Sequence, residues 1–278
     1  NLFVSCILVI GYLTMSRFSR ASLIITSSAL LWAFFFYGGI SLIRVESAQS
    51  LTIGKSPTGI TTGLNTGLVG WWTFDGKDFS SAVTTTDKSV RGNDGTVEGA
   101  VKKVNGKIGQ ALKFDTSSDR VTMGDKANLT FTSGGLSISA WVKRHKDADS
   151  DTIVSKDATG QREYAIGFYG DNLLYFTITD QTNGGSRGRT APDFNSGAWH
   201  HLVGTYDGGT LSSGMKIYVD GVRTDSGNYE SGSFTSMTDT DSEFTIAKAS
   251  AVLPGGFEGL VDDVRVYNRA ISLSEVQQ

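Results

Sequence analysis

The sequence predicts an all-β domain, a two-sheet sandwich or a barrel, preceded by an apolar N-terminal segment. Three observations carry this. The 278 residues hold 34 Gly and only 3 Pro, with 10% aromatic residues, a composition suited to many tight turns between short strands. About a dozen short runs rich in β-branched and aromatic residues follow one another from Gly67 onward, separated by turn signals. Helical periodicity is almost absent over the same stretch.

The elements follow in order. Leu2–Leu13 and Leu23–Ile43 are apolar, with Met15-Ser16-Arg17-Phe18-Ser19-Arg20 between them. Read from Met15, this is a basic region, a long apolar stretch and the polar Arg44-Val45-Glu46-Ser47-Ala48-Gln49, the layout of a secretory signal peptide. Val45 and Ser47 suit cleavage after Ser47. Leu23–Ile43 is also long enough to span a bilayer, so residues 1–48 read as a signal peptide or a membrane anchor, with Met15 the expected start. Both readings place the remainder outside the cytoplasm, secreted or at the cell surface, and touch a membrane only through this segment. Residues 49–66 are Gly-, Ser- and Thr-rich, a linker. Residues 67–278 form the β domain.

Within it, Leu68–Phe74, Ala111–Phe114 and Arg120–Met123 read as strands. Leu136–Lys143 alternates Ile138, Ala140 and Val142 against Ser137, Ser139 and Lys143, a half-buried strand. Tyr164–Tyr169 and Leu173–Thr179 flank Gly170-Asp171-Asn172 as a hairpin. Trp199–Tyr206 is a strand. Met215–Val219 turns through Asp220-Gly221, a type I′ signal, into Val222–Thr224. Gly184–Arg189 reads as a mobile basic loop. Phe244–Ala247 and Gly259–Tyr267 close the set. Ser272-Leu273-Ser274-Glu275 is a capping box. The helix it starts has barely begun at Gln278, so more chain is expected beyond that point.

Charge and chemistry restrict function. Without residues 1–48 the chain carries 22 basic and 27 acidic side chains. A mildly acidic surface with no basic cluster argues against nucleic acid. Cys6 is the only cysteine, so the β domain has no internal disulfide, Cys-based zinc site or thiol nucleophile. His200 and His201 are adjacent on one strand and point to opposite faces. No paired-carboxylate strand, Gly-x-Ser-x-Gly elbow or phosphate loop occurs, and no enzyme is expected.

Seven motifs in order carry a resemblance. They are Gly67–Asp75 (GLVGWWTFD), Asp87–Gly95 (DKSVRGNDG), Gly106–Asp115 (GKIGQALKFD), Ser137–Val142 (SISAWV), Trp199–Gly208 (WHHLVGTYDG), Ile217–Gly221 (IYVDG) and Gly259–Ser272 (GLVDDVRVYNRAIS). Together they resemble the laminin-G-like jelly rolls of the concanavalin A-like lectin/glucanase superfamily. The resemblance implies a two-sheet antiparallel jelly roll with a structural calcium at its rim. Asp87 and Asp262 are its expected carboxylate ligands, Asn93 and Gly95 give backbone or amide oxygens, and Asp75 reaches the same rim. Calcium's need for six to eight oxygens suits such a loop. Asp262 also shares the parity of apolar Leu260, Val264 and Val266, and a cation would relieve its burial. The alternative keeps Asp75 and Asp87 as turn caps and pairs Asp262 with an arginine such as Arg265. Val90 stands where the family often has glycine, which leaves open which carbonyls of that loop point inward.

The same resemblance implies carbohydrate binding or adhesion, with a glycan or an extracellular protein as partner. A structural or protein-interaction module without glycan affinity is the alternative. Tyr169, Tyr175, Trp199 and Tyr206 are the candidate stacking residues, with core packing the competing role for Trp199.

Overall fold

The computed structural model describes residues 63–145, 150–169, 173–192, 194, 197–248 and 256–278. The expected N-terminal signal or anchor, most of the expected linker and the Gly170-Asp171-Asn172 turn lie outside the described residues. The described strands are β1 (Leu68–Trp72), β2 (Thr84–Thr85), β3 (Gly95–Glu98), β4 (Lys102–Asn105), β5 (Gln110–Phe114), β6 (Arg120–Gly124), β7 (Leu136–Arg144), β8 (Ser150–Ala158) and β9 (Gln161–Tyr169). They continue with β10 (Leu173–Asp180), β11 (Gly185–Pro192), β12 (His200–Tyr206), β13 (Met215–Val219), β14 (Val222–Arg223), β15 (Gly227–Ser231), β16 (Phe244–Ile246) and β17 (Gly259–Tyr267). One short helix, α1 (Leu273–Val276), follows. No helix among the described residues is long and apolar enough to cross a membrane.

Two antiparallel sheets form. An eight-stranded sheet runs β14-β13-β12-β7-β17-β5-β4, with β1 also paired to β17. A nine-stranded sheet runs β15-β11-β10-β9-β8-β16-β6-β3-β2. Period-two alternation gives each sheet one apolar face. Ile138, Ala140 and Val142 from the first meet Ile166, Phe176 and Ile246 from the second in a single buried cluster. Trp72 is fully buried there and stacks on Phe244 at 5.3 Å. This is the predicted sandwich.

Several local readings change. Ser137 and Ser139, predicted to face water, are buried. The C-terminal segment covers this side of the sheet: the Ser137 hydroxyl donates to the Arg269 carbonyl at 2.7 Å and accepts the Ile271 N–H at 3.0 Å. Ile271 and Val276 pack there on Leu68, Val203, Tyr218 and Tyr267. The α1 capping box forms as predicted, with the Ser272 N–H donating to Glu275 Oε2 at 2.8 Å. In the basic loop expected at Gly184–Arg189, residues from Gly185 onward instead belong to strand β11. Its arginines turn toward the core side: Arg187 is buried and donates to the carbonyls of Thr210 and Ser231, and Arg189 is ion-paired with Asp225. The Asp220-Gly221 turn has φ of 51° and 77°, as type I′ requires.

Candidate functional site at the rim cleft

The site is built by a change of neighbour along β17. Its first residues, Gly259–Val261, pair with β5, and its last, Val264–Tyr267, pair with β1. Between them the register with β7 breaks across Asp262 and Arg265, and Asp263 adopts a φ of 46°. Such a bulge re-aims side chains. Here it presents two successive carboxylates to the notch left between β5 and β1.

The turn from β4 into β5 closes that notch. The Ile108 N–H donates to Asp262 Oδ2 at 2.8 Å, and the Gln110 N–H donates to Asp75 Oδ1 at 2.8 Å. Gly106 and Gly109 permit this approach: a Cβ at Gly106 would strike the Asp262 carboxylate, and one at Gly109, whose φ is +64°, would strike Asp75.

The resulting cleft, ≈ 250 Å³, is lined by Trp71, Thr73, Ile108, four aspartates (Asp75, Asp78, Asp262, Asp263) and the cations Lys77, Lys88 and Arg265. Three aspartates are held by donors. Asp78 accepts from Thr73 Oγ1 at 2.7 Å and Lys88 Nζ at 2.9 Å. Asp263 accepts the Trp71 indole N–H at 2.6 Å and pairs with Arg265 at 2.9 Å, and Arg265 lies over the Trp71 ring. Asp75 sits 3.6 Å from Lys77 Nζ. Asp262 differs: it is fully buried, its Oδ1 has no hydrogen-bond partner, and burial pushes its carboxyl up to about 6. The arginine expected as its alternative partner, Arg265, pairs with Asp263 instead.

The five residues expected to share one calcium fall into two groups. Asp75 and Asp262 line the cleft. Asp87, Asn93 and Gly95 belong to an internally closed loop. Asp87 Oδ1 accepts the N–H groups of Trp71 (3.0 Å) and Ser89 (2.8 Å), and Oδ2 accepts Ser89 Oγ (2.8 Å) and the Asn93 N–H (3.0 Å). Two acceptor positions per oxygen are thereby filled. The Asn93 carbonyl accepts the Trp72 indole N–H at 2.8 Å, and its side-chain amide donates to the Val69 carbonyl at 2.7 Å. Gly95 is a β3 residue paired with Thr85 and buried against Val121. Asp87 thus caps the turn, Asn93 ties it to β1, and Gly95 belongs to the β3 ladder, so these oxygens already have protein partners. The orphaned Asp262 oxygen does fit a cation. Among the described residues no group of three or more His, Cys, Asp or Glu side chains is gathered to hold a metal ion alone, so backbone oxygens would complete any shell.

The predicted stacking residues also separate. Tyr169 is 56% exposed at the end of β9. Tyr175 is buried against Ala165. Trp199 is half-buried just before β12. Tyr206 is a core residue: its hydroxyl donates to the Gly209 carbonyl at 2.6 Å, and burial pushes its pKa up to about 12. It is removed from the surface candidates. Tyr229, 52% exposed on β15, was not singled out from the sequence, because Gly227–Ser231 shows only one apolar residue among polar ones.

The comparisons with known proteins agree with this architecture. The family model of the concanavalin A-like lectin/glucanases superfamily matches residues 115–277. The chain belongs to that superfamily. No curated protein matches it in sequence. Among solved structures, domain 4 of AbnA, a GH43 extracellular arabinanase from Geobacillus stearothermophilus, in complex with arabinotriose, is similar at 23% identity and a TM-score of 0.54, over 76% of this chain and 96% of that one. Botulinum neurotoxin type C, whose cell entry depends on interaction with two ganglioside molecules, is similar at 14% identity and TM-score 0.58, over 78% of this chain and 51% of that one. Trypanosoma rangeli sialidase, in complex with 2,3-difluorosialic acid, is similar at 17% identity and TM-score 0.53, over 76% of this chain and 32% of that one. At these identities the likeness establishes the shared fold.

Proposed function

We propose that this member of the superfamily is an extracytoplasmic carbohydrate-binding module with a structural calcium at the rim, and not an enzyme. The observation that carries the reading is the rim cleft. Acceptors on Asp75, Asp78 and Asp263 and donors on Thr73, Lys77, Lys88 and Arg265, paired with one another, line a notch beside an indole. A sugar hydroxyl both donates and accepts, so such a surface suits a polyhydroxylated ring better than an apolar or singly charged ligand. The superfamily, and neighbours described with arabinotriose, gangliosides or a sialic acid derivative, support the same class. The apolar segment before the β domain supports the location.

Asp262 and Asp75 would hold the calcium, which supplies the positive charge that the buried Asp262 carboxylate lacks. Their own contribution is to fix the β4–β5 turn through Ile108 and Gln110.

One observation favours a hydrolytic reading. Asp262, raised to about 6 beside other carboxylates, has the profile of a general acid. Against it, Asp78 and Asp263 are each tied to a cation, and Asp262 is buried beneath the turn. A glycan array in calcium and in chelator tests the binding reading. Calcium-dependent retention of a glycan supports it. Absence of retention, or sugar release abolished in Asp262→Asn, overturns it.

A further inference from the structure

Lys156 is the only buried lysine among the described residues, and its side chain is fully inaccessible. A buried ammonium has to be paired. This one meets two carboxylates at once. Its Nζ donates to Glu163 Oε1 at 2.5 Å and lies 3.1 Å from Asp125 Oδ1. The Thr240 carbonyl takes its third contact, at 3.2 Å.

The sheet register brings these groups together. Phe244 of β16 pairs with Lys156 on one side and with Gly124 on the other. Gly124 has a φ of 72°, and the chain bends there as it leaves β6 at Asp125. Glu163 precedes Tyr164, the β9 residue opposite Lys156. Phe244 and Tyr164 are buried, with their rings 6.4 Å apart, so the amine sits among aromatic side chains and away from water.

The two carboxylates differ. Glu163 is fully buried. Its Oε1 accepts from the Thr240 N–H at 3.0 Å and hydroxyl at 2.8 Å as well as from Lys156, while Oε2 has no hydrogen-bond partner. Burial pushes its carboxyl above the ordinary value, which makes it the stronger base toward the ammonium. Asp125 is 43% exposed, so a group leaving its carboxyl can reach solvent.

We propose that Lys156 and Asp125 condense into an intramolecular amide, with Glu163 as the proton carrier. Glu163 takes a proton from the Lys156 ammonium, and the freed lone pair attacks Asp125 Cγ. One Cγ–Oδ bond breaks. Two of the three ammonium protons leave with that oxygen as water, one of them by way of Glu163, which ends as it began. The third stays on the amide nitrogen. Contact between the reacting groups and removal of both charges from a buried pair favour the step. The bond staples β8 to the end of β6 across β16, in a chain whose only cysteine is Cys6. It goes beyond the rim reading and shares no residue with it.

The test is mass spectrometry of the denatured full chain, intact and after trypsin. The wild type is lighter by one water than its sequence requires, trypsin does not cut after Lys156, and a branched peptide joins Lys156 to Asp125. Asp125→Ala, a change at a partly exposed position, retains the full mass. Glu163→Gln, which keeps the shape of the side chain but cannot take up the proton, also lacks the bond. A wild-type mass equal to that of the sequence overturns the proposal. Water loss confined to an unbranched peptide, the mark of a succinimide, overturns it too, as does a Glu163→Gln variant that forms the bond as completely as the wild type. These readouts involve neither glycan nor calcium, so their failure is distinct from failure of the rim reading.

Discussion

Val90 is the site of the sharpest stability prediction. It occupies a left-handed conformation, φ 62°, and is 91% exposed. The position must bend this way because Asp87 gathers the N–H groups of Ser89 and Asn93 onto one carboxylate, and the chain between them has to fold back. A β-branched L-residue there is disfavoured by about 1–2 kcal/mol. Val90→Gly removes that penalty. It also adds unfolded-state freedom that offsets about 0.5–1 kcal/mol of the gain. Almost no packing is lost. The net expectation is stabilisation by about 0.5–1 kcal/mol, a rise of roughly 1–4 °C in the melting temperature for a domain of this size. Thermal and urea unfolding measure it. Val90→Ile should change little, and Val90→Asn should fall between. A Val90→Gly variant that melts lower than the wild type, or a Val90→Ile variant that gains as much, would refute the strain argument.

The other predictions concern buried carboxylates. Asp87→Ala leaves three backbone N–H groups without their acceptor and should cost about 3 kcal/mol or more, equally in calcium and in chelator; a loss seen only in calcium would return Asp87 to the metal. Saturating calcium should raise the wild-type melting temperature by several degrees, since about 2.7 kcal/mol accompanies a hundredfold excess over the dissociation constant. Asp262→Asn should abolish that rise while melting no lower than the wild type in chelator. Asp157 is buried and pushed up to about 6 from 3.8 by that burial, with only Arg162, 3.8 Å away, opposing it. Its folded form binds the proton more tightly than its unfolded form. Its stabilising contribution is therefore complete below about pH 4 and is lost as pH rises toward 6, by at most roughly 3 kcal/mol. Asp157→Asn should flatten this part of the stability–pH profile, and an unchanged slope would exclude Asp157 as its source.

Legibility followed the physics of each element. Strands whose inner faces are strictly alternating, such as Ile138-x-Ala140-x-Val142, were readable because one face alone is apolar. Gly184–Arg189 was not. Its inward positions are Arg187 and Arg189, which the core accepts only because Thr210 and Ser231 carbonyls and the Asp225 carboxylate meet them. Those partners are distant in sequence, so the stretch reads as a basic loop. Ser137 and Ser139 misread for a related reason: alternation identifies the face opposite the main core, but not that Ile271 and Val276 return to cover part of it.

The rim residues show the same limit more sharply. Spacing and motif order located an acidic rim, but the parity argument for Asp262 fails: Val261 is the core residue, Asp262 pairs with Trp141 on the opposite face, and the β4–β5 turn buries it. What parity cannot register is the bulge that follows it. Asp263, one residue on, is turned by its positive φ toward Trp71 and Arg265 and takes the partner that sequence assigned to Asp262. The orphaned oxygen of Asp262 is therefore a consequence of the bulge and of the β4–β5 turn above it, in which Gly106 and Gly109 let the backbone donate to Asp262 and Asp75. The Asp87 loop has the oxygen density of a calcium loop. Its carboxylate nevertheless receives four protein donors, and a cation there would have to displace them. Oxygen count in sequence thus overstates the capacity of the loop, and the cation-competent oxygen at this rim lies on Asp262, whose Oδ1 has no hydrogen-bond partner.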